Sequence, residues 1–340
     1  MKKILFSLFA VAAIAACTKS EVAYEQPDAI GFQVVTGKMT KAAVADNVYP
    51  ENLNMYVFAM TDNNDAANTT ADYLDNAEFA KVLVSNGQNL WGGWFNDEAY
   101  PYYWPNVKKL FFAGVSKSGN VNNGAVPAYN DGTITIEGYQ PGVGTTTLGD
   151  NDLMWFPTTE DSYGKGTVSV PVVMKHACSW ITVKMAGDQW TAGRYTVTDI
   201  HIEGLTTKGK VALNAAADWT LSTDAADQDK TYSVYSNTTG KALTTTATAE
   251  GFENIVNNTI VLPEQVPGTL SITYHFTSQA GEKIEETVTG SLKFSGETAW
   301  AAGTHYTYTV TIGASQILIA PEVESWTPSP ETGGHTVTVQ

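Results

Sequence analysis

The stretch His305-Tyr306-Thr307-Tyr308-Thr309-Val310-Thr311-Ile312 decides the fold, because apolar and polar side chains alternate along its whole length. This period of two is typical of a strand that buries one face. Further alternating or apolar runs lie before it, at 29–35, 53–60, 81–84, 109–115, 133–136, 167–173, 180–185, 195–202, 258–262, 270–276 and 285–294. Turn signals such as Asp131-Gly132 separate the runs, and no segment sustains a helical period. The sequence therefore predicts an all-β fold built from sandwiches of short strands.

The composition sets the domain count and excludes one class of partner. A chain of 340 residues usually forms more than one domain, and we predict two, with a boundary near residue 175. Lys and Arg number 19 and Asp and Glu number 35, which gives a formal net charge of −16. Nucleic-acid binding needs a basic surface, so we expect no nucleic-acid partner.

Residues 1–16 are typical of an export signal. Lys2 and Lys3 precede an apolar run at 4–16 that is too short to span a bilayer. The run ends in Ile14-Ala15-Ala16-Cys17, which resembles the lipobox of bacterial lipoproteins. That resemblance implies cleavage before Cys17, acyl chains on this residue and anchoring in the outer membrane. The alternative is an ordinary secretory signal in which the cysteine is incidental.

The search for catalytic and metal-binding patterns finds none that is specific. Asp199, His201 and Glu203 are three potential ligands on one face of a strand, but they also fit the solvated face opposite Ile200 and Ile202. We interpret them as a solvated face and predict no catalytic, metal or cofactor site. The second cysteine, Cys178, lies in an apolar stretch and is predicted to be buried rather than reactive.

A cluster of aromatic residues spans positions 91–104. Its members are Trp91, Trp94, Phe95, Tyr100, Tyr102, Tyr103 and Trp104. If exposed, such rings could stack on sugars and make the chain a carbohydrate-binding module. We favour the other interpretation, in which the rings pack beneath a long loop.

Several sequence blocks, in order along the chain, carry a family resemblance. They are Tyr102-Tyr103-Trp104-Pro105 with Leu110-Phe111-Phe112-Ala113, Asp152-Leu153-Met154, Lys175-His176-Ala177 with Ile181-Thr182-Val183, Trp300-Ala301-Ala302-Gly303 with Tyr306-Thr307-Tyr308, and Val323-Glu324-Ser325-Trp326. Together they resemble the fimbrillin family of Bacteroides-type bacteria, the subunits of type V pili. Cys178 and Trp180 depart from the residues usual in that family.

The resemblance implies a fold, a domain organisation and a location. The fold is two transthyretin-like β-sandwich domains in tandem, at 42–175 and 176–340, preceded by a propeptide at 17–41. The resemblance further implies a structural pilus subunit that supports adhesion, with no enzymatic activity and no cofactor. A subunit of this family is expected to reach the outer membrane as a lipoprotein precursor and to end in a surface fimbria, assembled with copies of itself and other fimbrial subunits. The receptor is not identified by the sequence.

The resemblance also implies how the subunits join. A trypsin-like surface protease cuts after a basic residue that follows the first strand, and the lost strand leaves a groove for a neighbour's C-terminal strand. Here the cut falls between Lys41 and Ala42, or after Lys38, and lysine in place of arginine argues against an arginine-specific enzyme. The removed strand presents Ile30, Phe32 and Val34. The donor residues, in an extension that starts at about residue 315, are Ile317, Leu318, Ile319, Val337 and Val339.

An alternative function stays open. The chain could be an outer-membrane surface lipoprotein that does not polymerise and binds glycans through the Trp91–Trp104 cluster.

Overall fold

The computed structural model describes the ranges 28–36, 49–83, 89–121, 123–141, 152–188, 193–243, 253–278, 280–293, 298–313, 317–325 and 335–336. Within these ranges every regular element is a strand, which confirms the all-β prediction. Helices long and apolar enough to cross a membrane do not occur among the described residues.

Twenty-one strands follow one another along the described chain. In order they are β1 (Gly31–Thr36), β2 (Met55–Thr61), β3 (Leu74–Leu83), β4 (Asn89–Phe95), β5 (Glu98–Ala99), β6 (Leu110–Ser116), β7 (Pro127–Asn130), β8 (Thr133–Tyr139), β9 (Met154–Phe156), β10 (Val170–His176), β11 (Ser179–Gly187), β12 (Tyr195–Leu205), β13 (Gly209–Leu213), β14 (Ala217–Leu221), β15 (Lys230–Ala242), β16 (Glu253–Val261), β17 (Thr269–Thr277), β18 (Lys283–Ser291), β19 (Thr304–Ile312), β20 (Ile317–Ser325) and β21 (His335–Thr336).

The N-terminal strands form a sheet that closes on itself. Its order is β1-β10-β9-β6-β2-β3-β4, and β1 also pairs with β4, so seven strands make a ring and β5 extends from β4. Strand β1 runs parallel to β10 from Phe32↔Val170 to Thr36↔Met174, and it meets β4 in antiparallel fashion at Gly31↔Gly92 and Phe32↔Trp91. Side chains alternate along each strand, so one face of every strand points inward and the seven inward faces form one interior. Because β1 pairs with both β10 and β4, it closes the ring.

The C-terminal strands form two sheets with one shared core. One sheet has the order β16-β11-β19-β20-β21, and the other has the order β15-β12-β17-β18. Ile181 and Tyr308 from the first sheet pack in the same buried cluster as Ile200 and Ile272 from the second. Two sheets that bury their apolar faces against each other are the layered arrangement that alternating strands favour.

A four-stranded sheet, β14-β13-β8-β7, joins strands from both halves of the sequence. Its buried residues Ile136 and Val211 share a core with Trp155 and Trp180. The β7–β8 turn is confirmed at Asp131-Gly132, where both residues have a positive φ, as a two-residue hairpin turn requires. The domain boundary near residue 175 and the transthyretin-like architecture stay predictions.

Candidate functional site

The candidate site is the position that β1 occupies in the ring, between β10 and β4, which we call the β1 seat. It combines deep burial with a position that closes the ring. Ile30 and Phe32 have no exposed surface, and Val34 is 4% exposed. The Phe32 ring meets the rings of Phe79 and Phe112 edge to face, with centroids 5.0 and 5.1 Å apart. These are the three side chains that the alternation of the sequence points inward. Each contributes about 1.5–3 kcal/mol through the burial of apolar surface.

The residues just before β1 have a second set of backbone partners. The Ile30 N–H donates to the Tyr102 carbonyl oxygen at 2.7 Å, and the Trp104 N–H donates to the Asp28 carbonyl oxygen at 2.9 Å. Asp28 also forms an ion pair with Lys165 at 3.1 Å, but both side chains are about half exposed. An exposed pair of this kind adds little stability. The backbone bonds are therefore the stronger link between 28–30 and the 101–104 segment.

Leu90, on β4, covers the outer side of β1. Its side chain packs with Ala29 and Val82, and a Cβ placed on Gly31 would lie 2.8 Å from Leu90 Cδ2. Gly31 is therefore required for the close approach of Leu90 to the β1 backbone. Reasoning from the sequence missed this contact. The available signal was a glycine inside a strand pattern, which often marks a close approach of this kind.

The C-terminal strand β20 lies between β19 and β21 in its sheet. It pairs with β19 along its whole length, from Ile312↔Ile317 to Thr304↔Ser325, and within the described residues β21 pairs with it at Glu322 and Val323. Because side chains alternate along β20, the predicted donor residues in this strand lie on both of its faces. Ile317 and Ile319 are partly buried against the C-terminal core, and Leu318 points outward with 56% of its surface exposed.

Two of the family-like blocks meet inside the protein. Lys175 and His176 pair with Trp155 and Met154 across β10 and β9, and the Ala177 N–H donates to the Leu153 carbonyl oxygen at 2.8 Å. At this junction the His176 Nδ1 lies 2.5 Å from Asp152 Oδ2. Burial raises the pKa of the Asp152 carboxyl, and the charge and hydrogen bond of His176 oppose that rise.

Cys178 follows this junction and is fully buried, as predicted. Burial, together with the nearby Asp152, raises the pKa of its thiol, so the thiolate that a nucleophile needs is disfavoured. The Ala177 carbonyl before it accepts a hydrogen bond from the Trp219 Nε1 at 2.7 Å, which ties β14 to this junction. The junction therefore has a structural role.

The aromatic cluster at 91–104 divides into a buried part and an exposed part. Trp91 and Trp104 are 1% and 4% exposed and belong to the core of the ring. Phe95, Tyr100 and Tyr103 are about half exposed, at 57%, 54% and 47%. Trp94 and Tyr102 are partly buried. The packing interpretation therefore holds for Trp91 and Trp104, and the three exposed rings are the most accessible to a ligand.

The candidate metal ligands lie on a strand face, as we interpreted them. On β12 the Asp199 and His201 side chains are partly exposed and 3.2 Å apart, while Ile200 and Ile202 are buried on the opposite face. In the part of the chain that the structure describes, no three His, Cys, Asp or Glu side chains are grouped as a metal would need.

Several predicted site residues lie outside the described ranges. These are Cys17, Lys38, Lys41, Ala42, Val337 and Val339. Their roles stay predictions.

Comparisons with known proteins place this geometry in a family. A family model described as Fimbrillin-like matches residues 40–326. A fimbrial protein from Bacteroides vulgatus ATCC 8482 has a similar structure, with a TM-score of 0.61 and 16% identity over 88% of this chain and 100% of that one. A candidate cell adhesion protein from Bacteroides uniformis ATCC 8492 gives a TM-score of 0.54, with 16% identity over 89% of this chain and 100% of that one. We found no match among curated proteins. The two structural likenesses show a shared fold.

Proposed function

The chain belongs to the fimbrillin-like family, and from this premise we propose that it is a non-enzymatic structural subunit of a surface fimbria. The observation that carries the proposal is the position of β1, which fills the interior of the ring with Ile30, Phe32 and Val34. A subunit that loses this strand has an open groove between β10 and β4. A strand from a neighbouring subunit can then enter it by β-augmentation.

The proposed donor is the C-terminal extension that begins near residue 315. Strand β20 supports this role, because it carries Ile317 and Ile319 on one face and, within the described residues, is paired along its full length with β19 and at two residues with β21. When the C-terminal strand of one subunit enters the N-terminal groove of the next, the contact is head-to-tail and does not close into a ring. Contacts of this type build fibres.

Processing and anchoring belong to the same proposal. Cleavage after Lys41, or after Lys38, by a trypsin-like protease would separate β1 from the body of the subunit and leave the seat accessible. Before that cut, acyl chains on Cys17 would hold the precursor in the outer membrane, since two or more chains give stable anchoring. After it, the subunit would stand in the fimbria with copies of itself and other fimbrial subunits. A Cys17→Ser variant should lose lipid labelling and surface display, and normal display without lipid would contradict the anchor.

Limited digestion with trypsin tests the polymerisation step. The uncut chain should stay monomeric, and cutting after Lys41 should yield filaments that electron microscopy detects. Mass spectrometry of the new N-terminus separates a cut after Lys41 from a cut after Lys38. A chain that lacks residues 315–340 should be cut in the same way and give no filaments. Long fibres from this truncation would show that the C-terminal extension is not the donor.

A second candidate function rests on the three exposed rings of the aromatic cluster. Phe95 and Tyr100, with ring centroids 5.7 Å apart, could stack on a neutral sugar. A chain that binds glycans without polymerising would lose binding in the Tyr100→Ala variant and would give no filaments with trypsin. The digestion experiment therefore separates the two functions.

A further inference from the structure

The seat of β1 sets two requirements for any strand that replaces it. Apolar side chains must take the inward places of Ile30, Phe32 and Val34, which are buried in the ring. The residue in the place of Gly31 must be small, because Leu90 already lies against that position. An Ala there needs Leu90 to shift slightly. A larger side chain needs Leu90 to move away from Val82, the packing partner that stays in the subunit when Ala29 leaves with β1.

The described part of the C-terminal extension meets these requirements when Ala320 takes the place of Gly31. Either direction allows this: Pro321 then takes the place of Phe32 in a strand that runs with β1, and Ile319 takes it in a reversed strand. If Ile319 takes the place of Phe32, its neighbours Leu318 and Ala320 take the outward places on either side. A strand in the direction of β1 would put Leu318 against Leu90. A strand in the opposite direction puts Ala320 against Leu90 and Leu318 in the place of the exposed Gln33.

We propose that Leu90 selects the register of the incoming strand, and that a second copy of this chain enters with Ala320 against Leu90. This inference rests on the proposed function. It assigns Ile319 to the seat of Phe32, Ile317 to that of Val34 and Pro321 to that of Ile30. The incoming strand runs opposite to β1.

The backbone pairing of the seat favours this direction. Strand β1 is parallel to β10 over five residue pairs and antiparallel to β4 over two. A reversed strand is antiparallel to β10, and antiparallel pairing is slightly more stable per residue. Reversal also turns the N–H position of Pro321 towards the β10 side, where the pairing with β1 begins only at Phe32. The missing N–H of proline therefore removes no bond from the β10 pairing.

Ala320 is a clean position for a test, because its side chain is exposed in the free subunit. Its carbonyl oxygen accepts a hydrogen bond from Thr309 Oγ1 at 3.0 Å, and a side-chain substitution leaves this contact in place. Ala320→Leu should therefore fold like the wild type, which denaturant unfolding of the uncut chain would verify. Leu318→Ala is the matched control, since it changes the neighbouring exposed side chain on the same strand.

The experiment compares four trypsin-cut chains by the rate of filament growth. Ala320→Leu should slow growth by about tenfold or more, because the larger side chain meets Leu90. Leu90→Ala combined with Ala320→Leu should recover most of the wild-type rate. Leu318→Ala should grow like the wild type. A synthetic peptide of residues 317–325 should bind cut wild-type subunits more tightly than the same peptide with Ala320→Leu. The Ala320→Leu peptide should bind cut Leu90→Ala subunits more tightly than cut wild-type subunits.

The outcomes separate this inference from the function on which it rests. If the wild type forms filaments and Ala320→Leu grows equally fast, Leu90 does not select the strand, and the proposed function stands. If Leu318→Ala speeds growth while Ala320→Leu is neutral, Leu318 and not Ala320 lies against Leu90, and the inference is wrong. If the wild type itself gives no filaments after the cut, both proposals fail.

Discussion

The first strand and the C-terminal strand are both short apolar segments, but the protein holds them in different ways. Strand β1 has β10 on one side and β4 on the other, and its inward side chains are buried. Strand β20 has β19 on one side and, within the described residues, two residues of β21 on the other, and its side chains from Ile317 to Ala320 alternate between partly buried and exposed. To leave, β1 must break its pairing with β10 and β4 and expose its buried inward side chains, whereas Ile317 and Ile319 of β20 are only partly buried.

This difference indicates which end needs a covalent cut. Three fully buried apolar side chains represent about 5–9 kcal/mol of burial free energy, so β1 does not leave its seat spontaneously in a stable subunit. A strand with half-buried side chains is held less firmly, because it gains less from the burial of apolar surface. The proposed use of β1 as a removable strand and of β20 as a donor follows this contrast.

The largest effect is expected at the centre of the β1 seat. Phe32→Ala should lower the free energy of unfolding by about 3–5 kcal/mol, because it leaves a cavity between Phe79 and Phe112. Denaturant unfolding of the uncut chain measures this loss of stability. Gln33→Ala, at the exposed neighbouring position, is the control and should change stability by less than about 0.5 kcal/mol. A loss below about 1 kcal/mol for Phe32→Ala would contradict the firm hold on β1.

Low pH should lower the free energy of unfolding through His305 on β19, the strand that pairs with β20 along its whole length. Burial, with a contribution from the nearby Lys184, lowers the pKa of His305 on β19 to about 4. Its ring stacks on Trp180 with centroids 3.6 Å apart, which explains the burial. Because the folded state disfavours the charged form, the stability from neutral His305 is present above about pH 6.5 and is lost as the pH falls towards 4.

The expected size of this acid effect is about 3 kcal/mol between pH 7 and pH 4. His305→Gln removes the titrating group, so the difference between wild type and variant isolates its contribution from the carboxylates that titrate in the same range. Denaturant unfolding at a series of pH values measures both. An equal pH dependence in the two proteins would show that His305 does not carry the effect.

Alternation in the sequence predicted much of the fold. The runs at 195–202, 270–276 and 305–312 correspond to β12, β17 and β19, each within a few residues of its ends. Strand β4 was not predicted, because Gly92 and Gly93 interrupt its apolar pattern. Strand β15 was missed because most of its residues are exposed and polar, so no apolar face marks it.

The candidate site was predictable in part for a related reason. The inward residues Ile30, Phe32 and Val34 follow from period two, since one strand determines its own faces. Ring closure and the contact of Leu90 with Gly31 depend on which strands become neighbours. Pairing between segments far apart in the chain leaves no spacing pattern in a single sequence. The same limit applied to the sheet that joins β8 with β13.

A smaller effect is expected at the half-buried face of β20. Ile319→Ala should lower the free energy of unfolding of the uncut chain by about 1–2 kcal/mol, less than a fully buried residue, because Ile319 is only partly covered by the core. Denaturant unfolding of the Ile319→Ala and Phe32→Ala variants under the same conditions compares the two losses of stability. If Ile319→Ala costs as much as Phe32→Ala, β20 is held as firmly as β1, and the contrast between the two ends is wrong.

The smallest effect is expected at Leu318. Its side chain is 56% exposed and lies on the face of β20 opposite Ile317 and Ile319, so Leu318→Ala removes little buried surface. The free energy of unfolding should change by less than about 0.5 kcal/mol, as for other exposed positions. The measurement sharpens the comparison because Leu318 is apolar and Gln33 is polar, yet each is an outward position of its strand. Equal, near-zero effects at both would show that burial and not residue type sets the hold on each strand. A loss near that of Ile319→Ala would mean that β20 is covered on both faces, and the strand would then need a release step of its own before it could be donated.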